Sequence, residues 1–167
     1  MSNILLFVYG TLKSGEPNHY LMKDELGGTC ELFKSGKAVT VMKYPLVVAS
    51  RFNAPYLLYL PDQGHHVEGE LYEVDKTRLE ILDGLEAHPE FYERHKVHVT
   101  LDGTSGPEVE AQAYFLVKYR SYMLDLPFLK SYTSNVEGKR YVSPKDRPTG
   151  TLKYWHEVHT SHEKPEQ

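Results

Sequence analysis

Ile4-Leu5-Leu6-Phe7-Val8-Tyr9-Gly10-Thr11 is the stretch on which the fold turns: six apolar or aromatic residues in succession, then a glycine and a hydroxyl. A continuous apolar run of this length, ended by a turn signal, reads as a central strand entering a tight loop. It is far too short to span a bilayer and lacks a basic flank and a cleavage site, so no targeting signal is expected at either end.

Outward from this strand, Ser14-Gly15-Glu16-Pro17 is turn material, and Asn18 stands where it could cap a short helix through Tyr20, Leu21 and Met22 to Leu26. Strand pieces are predicted over 29–33 and 38–42. Tyr44-Pro45 forces a bend, because a residue before proline is driven out of the helical region. Further strands are predicted over 46–48, 56–60 and 67–74. Asp75 sits at a cap position before a helix over 76–86, closed by His88-Pro89. Val97, Val99 and Leu101, then Val109, Ala111, Ala113, Phe115 and Val117, alternate as the two arms of a hairpin. Residues 121–129 read as a short helix broken by Pro127, and 152–158 as a short strand or helix; 160–167 are expected to be loose. Many short strands with two or three helices, and no repeated strand–helix–strand spacing, define an α+β chain whose mixed sheet curls toward a barrel.

Composition narrows the function. At 167 residues the chain fits one domain, long enough to bury roughly 70% of its unfolded surface. Cys30 stands alone, which forbids an intramolecular disulfide and a paired-cysteine metal knuckle and suits a reducing cytoplasm. A net charge of −4, with Lys and Arg scattered among acids, gives no reason to expect nucleic acid. Thirteen tyrosines against six phenylalanines suit strands and the lining of a polar pocket.

Two features carry chemistry. Glu86 shares the helical face of Leu79 and Leu82, so its carboxylate either enters a core-lined pocket or bends out to solvent from the last turn. In the pocket, desolvation would raise its pKa and suit it to proton transfer near neutrality. Tyr9-Gly10-Thr11-Leu12 follows the central strand. A glycine there frees backbone N–H groups to hold a carboxylate or oxyanion, although a plain strand-ending turn has the same sequence.

Phe7-Val8-Tyr9-Gly10-Thr11-Leu12-Lys13 with Gly15-Glu16-Pro17-Asn18-His19 resembles the N-terminal signature of the gamma-glutamylcyclotransferase-like superfamily, in its gamma-glutamylamine cyclotransferase branch. Tyr44-Pro45-Leu46-Val47, Pro55-Tyr56-Leu57-Leu58, Val67-Glu68-Gly69-Glu70-Leu71-Tyr72, Leu82-Asp83-Gly84-Leu85-Glu86 and Arg140-Tyr141 with Pro144 follow in that branch's order. The resemblance implies a small mixed β-barrel with flanking short helices over 1–147, and leaves 148–167 as a polar, partly disordered extension. It further implies that Tyr9, Gly10, Thr11 and Leu12 bind substrate, with Tyr114 a further pocket residue, and that Glu86 is the acid/base. The reaction implied is release of 5-oxoproline and a free amine from gamma-glutamylamines such as gamma-glutamyl-epsilon-lysine, by intramolecular attack of the alpha-amine. No cofactor or metal is expected, and the protein is expected to be a cytoplasmic monomer that acts on a small gamma-glutamyl substrate and needs neither nucleic acid nor membrane.

Other readings are weaker. The histidines offer no HExxH pattern, and His95 and His98 lie on opposite strand faces. Glu68 and Glu70 share a strand face, either solvated or as a second pocket carboxylate. There is no GxSxG elbow, and Cys30 reads as a small core residue. A non-enzymatic module of the same fold, binding a metabolite or docking a partner, is the main competitor, and the presence of Glu86 favours the enzyme.

Overall fold

Alternating side chains build this molecule, described over residues 3–23, 26–103, 106–135, 138–148 and 154–162 of a computed structural model. In chain order the elements are β1 (Ile4–Val8), β2 (Cys30–Tyr44), β3 (Leu46–Ala49), β4 (Ala54–Leu57), β5 (His65–Val74), α1 (Lys76–Leu85), β6 (Glu93–Leu101) and β7 (Glu108–Phe115). Five strands close a barrel in the order β1-β5-β2-β6-β7, while β3 and β4 form a separate antiparallel pair. All barrel neighbours are antiparallel except β7, which meets β1 in parallel with Leu6 opposite Gln112.

β1 is apolar throughout because both its faces are covered. Phe7 and Tyr9 join Leu71, Val97, Val99 and Phe115 in one core. Leu6 and Val8 pack on the other side with Leu79 and Leu82 of α1. Asp75 caps α1 by accepting from the Arg78 N–H at 2.9 Å, a contact worth about 1 kcal/mol. The hairpin of β6 and β7 pairs Val97 with Ala111 and Val99 with Val109, as the alternation predicts.

Elsewhere the structure departs from the sequence pattern. The pieces over 29–33 and 38–42 are one strand, β2, whose register against β5 shifts between Leu32 and Lys37 and again between Val39 and Lys43. Ser35-Gly36 looks like a turn; with Lys34 at φ 52° and Gly36 at φ 83° it makes an irregularity within the strand instead. The helix expected from Asn18 to Leu26 is a short 3-10 helix over His19–Met22, and Asn18 caps nothing because its amide is spent elsewhere. The strand over 56–60 is β4, ending at Leu57, and 121–129 shrinks to a 3-10 helix over Ser121–Asp125. Residues 151–153 lie outside the described residues; Trp155–Glu157 is a 3-10 turn. Residues 160–162 are tied down rather than loose: the Thr160 N–H donates to the Lys118 carbonyl at 2.8 Å, and Arg120 Nη2 donates to the His162 carbonyl at 2.7 Å. Residues 163–167 lie outside the described residues.

Gly69 marks where β5 crosses β1. A Cβ at that position would stand 2.4 Å from the Val8 carbonyl oxygen and 2.7 Å from the Phe7 ring. Gly69→Ala must therefore spread the barrel wall. The expected loss is about 1–3 kcal/mol, read as a lower midpoint in urea unfolding. An unchanged midpoint would mean the wall yields freely there.

Candidate active site

A cavity of about 390 Å³ opens where the end of β1, the C-terminal end of α1 and the C-terminal segment meet. Burial of Leu79 and Leu82 fixes the face of α1, and the next turn brings Glu86 to this cavity. The helix ends at Leu85, one residue short of the predicted span, and Glu86 is its C-cap, with its N–H donating to the Leu82 carbonyl at 2.9 Å. Ala87 then turns left-handed (φ 52°) and directs the chain toward Phe91 and Tyr92, which line the same cavity.

Among the described residues no hydrogen bond and no ion pair engages the Glu86 carboxylate. Burial alone pushes its pKa up to about 7, so near neutrality the group can either accept or donate a proton.

The loop after β1 forms the facing wall. The Gly10 carbonyl accepts from the Lys13 N–H at 3.1 Å, and the Thr11 carbonyl from the Asn18 N–H at 2.9 Å. The N–H groups of Gly10, Thr11 and Leu12 donate to no acceptor among the described residues, although all three residues line the cavity. Three successive unspent N–H groups beside an acid make a site for a carboxylate or a developing oxyanion. The Asn18 side-chain amide holds this loop from behind, donating at 3.0 Å to both Thr11 Oγ1 and the Tyr141 hydroxyl.

Tyr9 and Tyr114 complete the frame. The Tyr9 hydroxyl donates to the Tyr114 carbonyl at 2.5 Å, and the Tyr114 hydroxyl donates to Asp83 Oδ1 at 2.7 Å. Arg94 grips Asp83 with contacts of 2.9 and 3.0 Å. Burial pushes both tyrosines well above the ordinary phenol range, so they remain protonated donors. Tyr9, Gly10, Thr11, Leu12, Glu86 and Tyr114, far apart in sequence, all line this one cavity. Glu68 and Glu70 do not; Glu70 accepts from the Ser14 N–H at 2.6 Å. Among the described residues no three His, Cys, Asp or Glu side chains are placed to hold a metal ion.

The sequence reading missed Tyr92, Arg147, Tyr154 and Trp155, which also line the cavity. The last three belong to a polar, aperiodic stretch whose placement depends on tertiary contacts. Val158 is fully buried beside Leu58, Leu116 and Met123, and it anchors that stretch to the body.

A closed mixed barrel of this order is the fold of a known class. The chain belongs to the family described as "Gamma-glutamyl cyclotransferase, AIG2-like", which it matches over residues 6–145. It is 43% identical over 143 residues to gamma-glutamylaminecyclotransferase of Bos taurus, covering 85% of this chain and 83% of that protein. It is 41% identical over 148 residues to the protein of that name from Mus musculus, covering 85% of this chain and 98% of the relative. The crystal structure of an AIG2-like protein from Mus musculus superimposes with a TM-score of 0.81 at 40% identity, covering 88% of this chain and all of that one. Among the described residues no helix is long and apolar enough to cross a membrane.

Proposed function

We propose that the chain is a gamma-glutamylamine cyclotransferase, releasing 5-oxoproline and a free amine from substrates such as gamma-glutamyl-epsilon-lysine. The Bos taurus and Mus musculus relatives carry that activity in their names. The observation that carries the reading for this chain is the unpaired Glu86 carboxylate sharing a cavity with the unspent N–H groups of Gly10, Thr11 and Leu12.

The substrate holds its own nucleophile. Its alpha-amine is placed to close a five-membered ring on the gamma-carbonyl, so the protein works largely by holding the molecule bent. At neutral pH that amine is mostly protonated. Glu86 takes the proton as general base, and the nitrogen bonds to the gamma-carbon. The oxyanion, the alpha-carboxylate or both rest on the loop N–H groups. Glu86 then delivers that proton to the departing nitrogen and the old C–N bond breaks; the ring nitrogen gives up its second surplus proton, and the amine leaves as an ammonium ion beside neutral-ring 5-oxoproline. Tyr9 and Tyr114 keep the loop and α1 in register.

Purified protein given gamma-glutamyl-epsilon-lysine is expected to release lysine and 5-oxoproline in equal amounts. Failure with this substrate, with glutathione and with gamma-glutamyl amino acids would replace the enzyme by a metabolite-binding module. Because Glu86 accepts a proton only when ionised, kcat/KM is expected to rise with pH through an inflection at about 7. A flat profile between pH 5 and 8 would remove Glu86 from the proton path.

We place the activity in the cytoplasm, where a lone buried cysteine stays reduced. We take the protein as a monomer, and the acidic net charge supports independence from nucleic acid. We take residues 1–147 as the catalytic domain and 148–167 as its extension, on the ground that the family match ends at 145.

A further inference from the structure

Arg147 is a cation at the cavity that no carboxylate pairs with among the described residues. Its guanidinium carbon lies 4.2 Å from the ring centre of Phe52 and 5.2 Å from that of Tyr154. Its Nε donates to the Val142 carbonyl at 3.0 Å, and Nη2 reaches the Tyr141 hydroxyl at 3.4 Å. Nη1 has no acceptor among the described residues, and no carboxylate among them pairs with the group. Ring faces and two hydrogen bonds thus fix a guanidinium whose charge no described side chain answers. Arginine held this way binds a carboxylate at little further entropic cost.

The same hydrogen bonds tie it to the reaction centre. Arg147 Nη2 meets the Tyr141 hydroxyl, which accepts from Asn18, which in turn donates to Thr11 Oγ1 of the loop. On the reading above, the loop N–H groups serve the gamma-glutamyl half. Arg147 lies past residue 145, where the family match ends, and so do its neighbours Tyr154 and Trp155 on the cavity wall.

Resting on the cyclotransferase reading above, we infer that Arg147 receives a carboxylate carried by the leaving amine. The enzyme would thereby prefer gamma-glutamyl compounds whose amine is an amino acid over those whose amine carries no acid.

Two substrates separate this role from the others. Gamma-glutamyl-epsilon-lysine and gamma-glutamylcadaverine share the scissile amide, the methylene arm and the terminal amine, and differ only by the carboxylate. In steady-state kinetics Arg147→Gln is expected to lower the ratio of kcat/KM for the lysine compound to that for the cadaverine compound by about tenfold. The change should lie in KM, with kcat for the lysine compound within twofold, and Arg147→Lys should restore part of it. Arg147→Ala, with melting followed alongside, shows whether lost ring packing contributes. An equal loss on both substrates would assign Arg147 to the gamma-glutamyl half or to the fold and overturn the inference. An unchanged ratio would overturn it too. In both cases the native protein is active and the cyclotransferase reading stands. A native protein inert on both substrates would instead sink that reading and the inference with it.

Discussion

Glu86→Gln is expected to lower kcat by about a hundredfold or more while the barrel stays folded. The substitution keeps the size and most of the shape of the side chain, and no protein partner of the carboxylate is lost because none exists among the described residues. What disappears is the group that moves the proton. The same change should act on stability in the opposite direction. The folded pKa of about 7 stands above the ordinary value of 4.5, so the folded protein binds the proton more tightly than the unfolded chain. Stability therefore falls as pH rises through the window from about 4.5 to 7, and the full penalty for burying the charge is present above it. An uncharged glutamine escapes that penalty. Unfolding at pH 8 should show Glu86→Gln more stable than the native chain by on the order of 1–3 kcal/mol, with the difference vanishing near pH 4. A variant both inactive and less stable at pH 8 would mean that the carboxylate props up the fold and that the lost activity is secondary.

Gly10→Ala should cut kcat/KM by about a hundredfold through geometry alone. A Cβ there would stand 2.6 Å from Cγ of Pro55. Pro55 cannot retreat: it is buried within β4, paired with Val48, and its carbonyl accepts from the Tyr92 hydroxyl at 3.2 Å. The loop must move instead, carrying the unspent N–H groups away from Glu86. A displacement of about 1 Å at a site built on orientation is enough for a loss of this size. The melting temperature should fall as well, because Gly10 is buried and its neighbours are packed, so activity is compared well below the new midpoint. Activity within threefold of native would show that these N–H groups contribute little to the reaction.

The half of the candidate site to which we assign the chemistry was legible because local rules place it. Glu86 lies on the stripe set by Leu79 and Leu82, and a carboxylate on an apolar face is a visible anomaly. Tyr9-Gly10-Thr11-Leu12 sits at the end of a strand apolar on both faces, where a glycine before a hydroxyl announces a turn. The hairpin of β6 and β7 follows from plain alternation. The wall opposite is set by tertiary contacts that leave no periodic trace. Tyr154 and Trp155 reach the cavity because Val158 is buried several residues further on, and Arg147 is held by rings from distant segments. Asn18 shows the same limit in miniature. Its residue type and position suggest a helix cap, yet its amide joins Thr11 to Tyr141, and nothing local distinguishes the two uses. The bulged continuity of β2 was hidden because Ser35-Gly36 has the composition of a turn.

The parallel meeting of β1 with β7 governs how the molecule can come into being. The two strands join the first residues of the chain to a segment arriving more than a hundred residues later; the bond between the Tyr9 hydroxyl and the Tyr114 carbonyl spans 105 positions. Closing so long a loop is slow, and its reward comes only when the whole circuit is made. Glu86, the glycine loop and the aromatic wall therefore come together only in the last act of refolding. Recovered activity should appear in a single late phase, after secondary structure has returned, and synthesis must run past Trp155 before the cavity wall is complete.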